Sequence, residues 1–358
     1  MSPLSIPSPP PEWRFFELGT WIHSWLPIWP ENWVLPIHVY ALSILVGIVA
    51  AIIVSNARLT ARGGEPWIVV DLALWAVAGG IIGARIWHVL THPDDYFAGQ
   101  EWWKVFAVWE GGVAIFGAIL GGALGVWIAC RLSGLRFTAA ADAIAPTLLL
   151  AQAFGRIGNY FNQELFGLPT DLPWGLEIDR PNPAIPVGIP EDAVFHPTFL
   201  YEILWNLAGF AILILIENRI SFTRGADEVR TGLTKFLPFW PTFTRRHPWY
   251  WGKMVGLWAI WYGIGRVWFE SIRLDPSETF LGIRSNVWGA FAAIVVGLLI
   301  LIVQTKNHPG IEPSVYKPGK EWTPDSGVDS DAIYSDSDDS GEGAESTTAP
   351  ATSGASRT

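Results

Sequence analysis

Apolar residues gather in seven blocks along the chain, at about 37–55, 67–90, 112–130, 139–160, 197–216, 254–272 and 286–304. Each is close to the roughly 20 residues that cross a bilayer core, so the pattern predicts an all-α integral membrane protein with seven transmembrane helices. The polar connections alternate in sign. Arg58 and Arg62 follow the first block, Arg131 and Arg136 the third, and Arg219, Arg224, Arg230, Lys235, Arg245, Arg246 and Lys253 the fifth. Asp94, Asp95 and Glu101 follow the second, Asp171, Glu177, Asp179, Glu191 and Asp192 the fourth, and Asp275 and Glu278 the sixth. Basic loops stay in the cytoplasm, which predicts an outside N-terminus and a cytoplasmic C-terminus.

Three regions follow: an N-terminal extension with interfacial aromatics over residues 1–36, a seven-helix membrane domain over 37–305 with a cytoplasmic loop at about 217–253, and a disordered acidic cytoplasmic tail over 306–358. The loop contains KFLPFWPTFTRRHPWYW, basic and aromatic, and is expected on the inner membrane surface. The first residues lack a basic stretch leading into a short apolar core, so no secretory signal is expected.

Composition agrees with a membrane protein: of 358 residues 50% are hydrophobic and only 16% charged, with 22 tryptophans. One cysteine rules out a disulfide framework and any Cys-rich metal site. The net charge of −10 is mostly local, because ten acidic residues against Lys317, Lys320 and Arg357 put −7 after residue 311. No basic nucleic-acid footprint exists, so no nucleic-acid partner is expected.

Against this apolar background the ionisable residues are costly and therefore candidates for function. In WYGIGRVWFESIR, Tyr262, Arg266, Glu270 and Arg273 are four, four and three apart, which places them on one helix face. A structural Arg–Glu pair accounts for Glu270 and one arginine; the second arginine leaves a positive site for an anion. In GRIGNYFNQELFG, residues 155–167, helical spacing puts Arg156, Asn159, Tyr160, Gln163 and Gly167 on one face, Glu164 at its margin and Asn162 behind. Interfacial snorkelling explains an arginine there but not the crowd of amides.

Elsewhere the plainer readings lead. Snorkelling and interface anchoring account for Arg85 and His88, and Asp142 is expected to order a helix terminus. His196 precedes Pro197 at the start of the fifth block and reads as a capping or orienting histidine, while Glu202 is expected to bond a neighbouring helix. Glu110 stands before a glycine pair at the mouth of the third block, as an interface residue.

GRIGNYFNQELFG resembles the signature of prolipoprotein diacylglyceryl transferases: a glycine-arginine start, two asparagines, a glutamate and a closing glycine, with Tyr160 where phenylalanine is usual. HVYALSILVG with Tyr40, HPTFLYE with His196 and Glu202, and GRVWFESIR with Arg266, Glu270 and Arg273 resemble further blocks of the same family in the same order. The resemblance covers roughly residues 35–305. One departure is Glu110, which stands where the family commonly has a histidine considered as a base.

The resemblance implies transfer of the diacylglyceryl group of phosphatidylglycerol to the thiol of a lipobox cysteine in a preprolipoprotein, making a thioether and releasing glycerol phosphate. A thiol of pKa near ~8.5 must lose its proton and a phosphate must leave with added charge. Arg156 and Arg266 suit a phosphate clamp, since arginine is a fixed and permanently charged fork. Asn159 and Glu164 suit the head-group hydroxyls, Tyr40 and Tyr262 add hydroxyl donors, and Gly167 closes the binding segment. Glu110, Glu270 and His196 are the candidate bases, Glu110 first. Cys130, beside Arg131 at the cytoplasmic end, is not placed to be an outer-face nucleophile. No cofactor is expected, and no metal, because the repeated aspartates that would hold divalent cations are missing. The alternative is a transporter or flippase of an anionic lipid, which predicts an internal repeat and a site near the midplane.

Overall fold

The computed structural model describes residues 5–26, 36–97, 102–108, 111–222, 251–275, 277, 279–308 and 312–323. The helices are α1 (Leu18–Trp25), α2 (Val39–Ala61), α3 (Ile68–Thr91), α4 (Asp94–Phe97), α5 (Ile115–Leu132), α6 (Phe137–Asn162), α7 (Thr198–Phe222), α8 (Lys253–Ile272) and α9 (Ser285–Asn307). Two short antiparallel pairs accompany them: β1 (Phe15–Glu17) with β2 (Pro36–His38), and β3 (Thr279–Phe280) with β4 (Ile283–Arg284).

Among the described residues six helices, α2, α3, α5, α6, α7 and α9, are long and apolar enough to cross a membrane. The block at 254–272 forms α8, whose apolarity falls short because Arg266, Glu270 and its tryptophans lie within it. The protein is a multi-pass, mainly helical membrane protein. The basic-aromatic loop of 217–253 lies mostly outside the described residues.

Helix α6 is central, packing on α2, α7 and α8. Half of its apolar window is buried, against 11% for α9, so polar side chains on α6 have protein rather than lipid around them. The α3–α5 pair runs along Gly79, Gly83, Gly117, Gly121 and Gly125, where any added Cβ would collide with the facing backbone. Backbones this close gain van der Waals contact that lipid cannot replace.

At one end of the bundle Asp142 is fully buried and accepts from the backbone N–H of Gly252 at 2.6 Å and of Met254 at 2.9 Å, capping α8 from α6. Beside it Glu217 of α7 pairs with Arg58 at 2.7 Å and Arg62 at 2.5 Å, so the two arginines after the first block are tied to the fifth. The expected tail boundary at 306 moves. Helix α9 continues to Asn307, and residues 312–322 are bonded across this end, with Arg136 N–H donating to Val315 O at 2.8 Å and Lys317 N–H to Gly134 O at 2.9 Å. Val315 and Tyr316 are buried in one cluster with Leu59, Leu72 and Leu135, which anchors this segment.

At the other end the loop after α6 forms a small core of Phe166, Leu176 and Phe195. The N-terminal residues join it: Ile6 lies parallel to Leu176, and the Tyr160 hydroxyl donates to Pro7 O at 2.9 Å.

Candidate functional site

A narrow cleft is lined by Gln152 and Arg156 of α6, Glu202, Trp205 and Asn206 of α7, and Tyr262, Gly265, Arg266 and Phe269 of α8. Arg156 and Arg266, 110 residues apart in sequence, therefore face one space. Each is held from a different direction. The Nε of Arg156 meets Glu202 Oε2 at 2.6 Å and its Nη1 donates to Asn159 Oδ1 at 3.1 Å, while Arg266 Nη2 meets Glu270 Oε2 at 3.1 Å. A guanidinium has five N–H groups, so both retain donors for a ligand.

The 155–167 stretch does not form one helical face. Helix α6 ends at Asn162, and Gln163 takes a left-handed backbone with φ 52. That turn brings Glu164 back onto α6, where its Oε1 accepts from Asn159 Nδ2 at 2.6 Å and from Asn162 Nδ2 at 3.3 Å. Asn162, expected behind, thus joins Arg156, Asn159 and Glu164. Tyr160 and Gln163 leave the group, the first toward Pro7 and the second toward Asp179. Gly167 is wedged beside His196 and the end of α8, with Ile272 O 2.9 Å from where its Cβ would lie.

Tyr40 of α2 packs on Gly158, where an added Cβ would sit 2.5 Å from its Cδ2. Tyr262 stacks on Trp258 and lines the cleft directly. Two of the three candidate bases are described, and they lie in different surroundings. Glu270 is fully buried between Arg266, Arg273 at 3.6 Å and Arg284 at 2.9 Å, with Asn286 donating at 3.0 Å. Its Oε1 accepts from Arg284 and Asn286 while its Oε2 lies in the ion pairs with Arg266 and Arg273, so it ties three arginines together. His196 does not line the cleft; its Nδ1 meets the Tyr201 hydroxyl at 3.3 Å. Glu110 lies outside the described residues. The glycines after it are held by Arg85, whose Nη1 donates to Gly111 O at 2.6 Å and Gly112 O at 3.0 Å and whose Nε donates to Val105 O at 2.8 Å. Arg85 is buried and organises this loop, which replaces the snorkelling expected of it.

Four polar residues in or beside the site were not singled out from sequence. Gln152 lies four positions before Arg156 and Asn206 four after Glu202, spacings that carry them onto the same helix faces. Arg284 and Asn286 lie after the sixth block, and nothing in their spacing points to Glu270. The sole cysteine, Cys130, is buried far along α5 and is not in the cleft.

The family model described as prolipoprotein diacylglyceryl transferase matches residues 28–303. A phosphatidylglycerol–prolipoprotein diacylglyceryl transferase of Leifsonia xyli subsp. xyli is 51% identical over 326 residues, 89% of this chain and 86% of its own. One of Cutibacterium acnes is 40% identical over 309 residues, 86% of this chain and 89% of its own. A third, numbered 2 in Streptomyces coelicolor, is 43% identical over 279 residues, 78% and 79% of the two chains. The chain belongs to the prolipoprotein diacylglyceryl transferase family.

Proposed function

We propose that the chain moves the diacylglyceryl group of phosphatidylglycerol onto the thiol of a lipobox cysteine in a preprolipoprotein, the first step of bacterial lipoprotein maturation. The bond between the glyceryl carbon and the phosphate oxygen breaks as the carbon–sulfur bond forms. The thiol proton passes to a base and glycerol phosphate leaves. The observation that carries this reading is the pair Arg156 and Arg266 on one cleft, because two arginines can share the phosphate oxygens as they gain charge.

Asn159 and Glu164 bind hydroxyls of the head group, with Gly167 allowing the turn beneath them to close on α8, and Tyr262 and Tyr40 add donors. Glu110 is the base. In its favour, the other two candidates are committed elsewhere, Glu270 to three arginines and His196 to Tyr201. A carboxyl in a partly desolvated site has its pKa raised toward the working pH, which suits it to take a thiol proton.

In the membrane α8 crosses as the sixth of seven spans, the N-terminus lies outside and the C-terminus in the cytoplasm, and the cleft opens toward the outer face. Support comes from the chain's own charges: Arg58, Arg62, Arg131 and Arg136 gather at the end where Asp142 caps α8, and the carboxylate-bearing loop after α6 lies at the other. Glu270 and Arg266 of α8 are paired inside the protein, which lowers the cost of carrying them across.

The test is release of glycerol phosphate from phosphatidylglycerol vesicles by the purified protein. Release that depends on a cysteine-bearing lipobox peptide, and persists with a chelator, is expected. Movement of the lipid between leaflets without release would instead favour a flippase.

A further inference from the structure

Residues 5–14 precede the region matched by the family model, yet they are bonded to the loop that follows the signature stretch. Ile6 exchanges backbone hydrogen bonds with Gly175 O and Glu177 N, both at 2.9 Å, and the Ser5 hydroxyl donates to Glu177 at 2.7 Å. Further along, the Ser8 hydroxyl donates to Asp179 Oδ1 at 2.6 Å and Arg14 Nη2 lies 3.4 Å from Asp179 Oδ2. Asp179 in turn closes a ring with Gln163: its backbone N–H donates to Gln163 Oε1 at 2.7 Å, and Gln163 Nε2 donates to its Oδ2 at 2.6 Å.

Gln163 is the residue that most needs holding. A left-handed conformation costs a non-glycine residue about 1–2 kcal/mol, and Gln163 adopts it at the end of α6. What this turn accomplishes is the return of Glu164, whose backbone N–H donates to Asn159 O at 3.2 Å and whose carboxylate takes the Asn159 amide. Asn159 then presents its carbonyl oxygen to Arg156. A continuous path therefore runs from Ser8 and Arg14 through Asp179 to Gln163 by hydrogen bonds, along the chain to Glu164, and by hydrogen bonds again through Asn159 to the arginine in the cleft.

We infer that the N-terminal segment is a positioning element of the site: Ser8 and Arg14 fix Asp179, Asp179 fixes the Gln163 turn, and the turn sets Glu164, Asn159 and Arg156 in register for the phosphate. The inference rests on the transferase reading above. The hydrogen bonds from Ser8 and Gln163 hold the Asp179 carboxyl below its usual range, so these bonds are charge-assisted. Positioning of this kind acts on the transition state more than on ground-state binding, because displacing a catalytic group by a fraction of an ångström costs rate.

The experiment uses the full-length protein in phosphatidylglycerol vesicles with a cysteine-bearing lipobox peptide. Ser8→Ala with Arg14→Ala is expected to lower kcat about fivefold with KM for the lipid within about twofold. Gln163→Ala is expected to lower kcat at least as far, and the triple variant to match Gln163→Ala alone, since all three act along one path. Ser5→Ala, which loosens the same segment away from Asp179, is expected to leave kcat unchanged. Independent, multiplicative losses in the triple variant, or an equal loss in Ser5→Ala, would overturn the inference. If the wild type transfers nothing, the transferase reading fails by itself. Hydrogen exchange at the Glu164 amide then decides: faster exchange in the Ser8/Arg14 variant supports positioning, and unchanged exchange overturns it.

Discussion

Arg156 on α6 and Glu202 on α7 meet at 2.6 Å between Nε and Oε2, so an arginine of the cleft is aimed by a helix other than its own. Glu202 is itself buried, and among the described residues its removal leaves Arg156 held by Asn159. Glu202→Ala is expected to lower kcat/KM roughly tenfold or more, and Glu202→Gln, which keeps an acceptor, to recover part of it. Glycerol phosphate release against substrate concentration measures both.

Arg156 and Arg266 are expected to resist replacement by lysine. Lysine keeps the charge but loses the fork that can hold Glu202 or Glu270 on one side and a phosphate on the other. Arg156→Lys and Arg266→Lys should each reduce transfer by about 10²-fold, the usual cost of losing one donor aimed at developing charge. Near-normal kcat in both would remove the phosphate clamp.

Asp142 concerns stability alone. Its two oxygens take the first N–H groups of α8, and no part of it lines the cleft. Asp142→Ala is expected to cost about 1–2 kcal/mol or more as two buried N–H groups lose their acceptor. A lowered melting temperature with unchanged kcat per folded molecule, assayed well below that temperature, is the outcome to look for.

Glu312 makes the packing of residues 312–322 depend on pH. Burial first, and then the like charge of Asp142, push its carboxyl from 4.5 up to about 7, against the opposing pull of Arg62, Arg136 and Thr138. A folded-state pKa above the unfolded one means that the folded form binds the extra proton. Stability of this packing is therefore fullest below 4.5 and declines as pH rises through about 7. Amide exchange at Val315–Lys317 should quicken over that window, and Glu312→Gln should flatten the dependence.

The sequence by itself determined the helical membrane class and the positions of the long helices, most of them to within a few residues, and it set apart the ionisable residues that lie within them. Those are local properties: runs of about 20 apolar residues can be satisfied only as helices in lipid, and an arginine or glutamate inside such a run stands out because its burial needs a partner. The interhelical role of Glu202 and the terminus-ordering role of Asp142 were legible for the same reason. Only the tertiary structure decided which partner each one takes. Arg156 and Arg266 come to one cleft because α6 packs against both α7 and α8, and helical spacing carries no information about neighbours far along the chain. The departure of Gln163 from the helical face depends on Asp179, sixteen residues away across a loop, and the commitment of Glu270 to Arg284 depends on the turn between α8 and α9. The N-terminal residues and residues 312–322 read as mere extensions for the same reason. Their few apolar and polar anchors, Ile6, Ser8, Val315 and Tyr316, acquire meaning only once the loops they bind have been folded beside them.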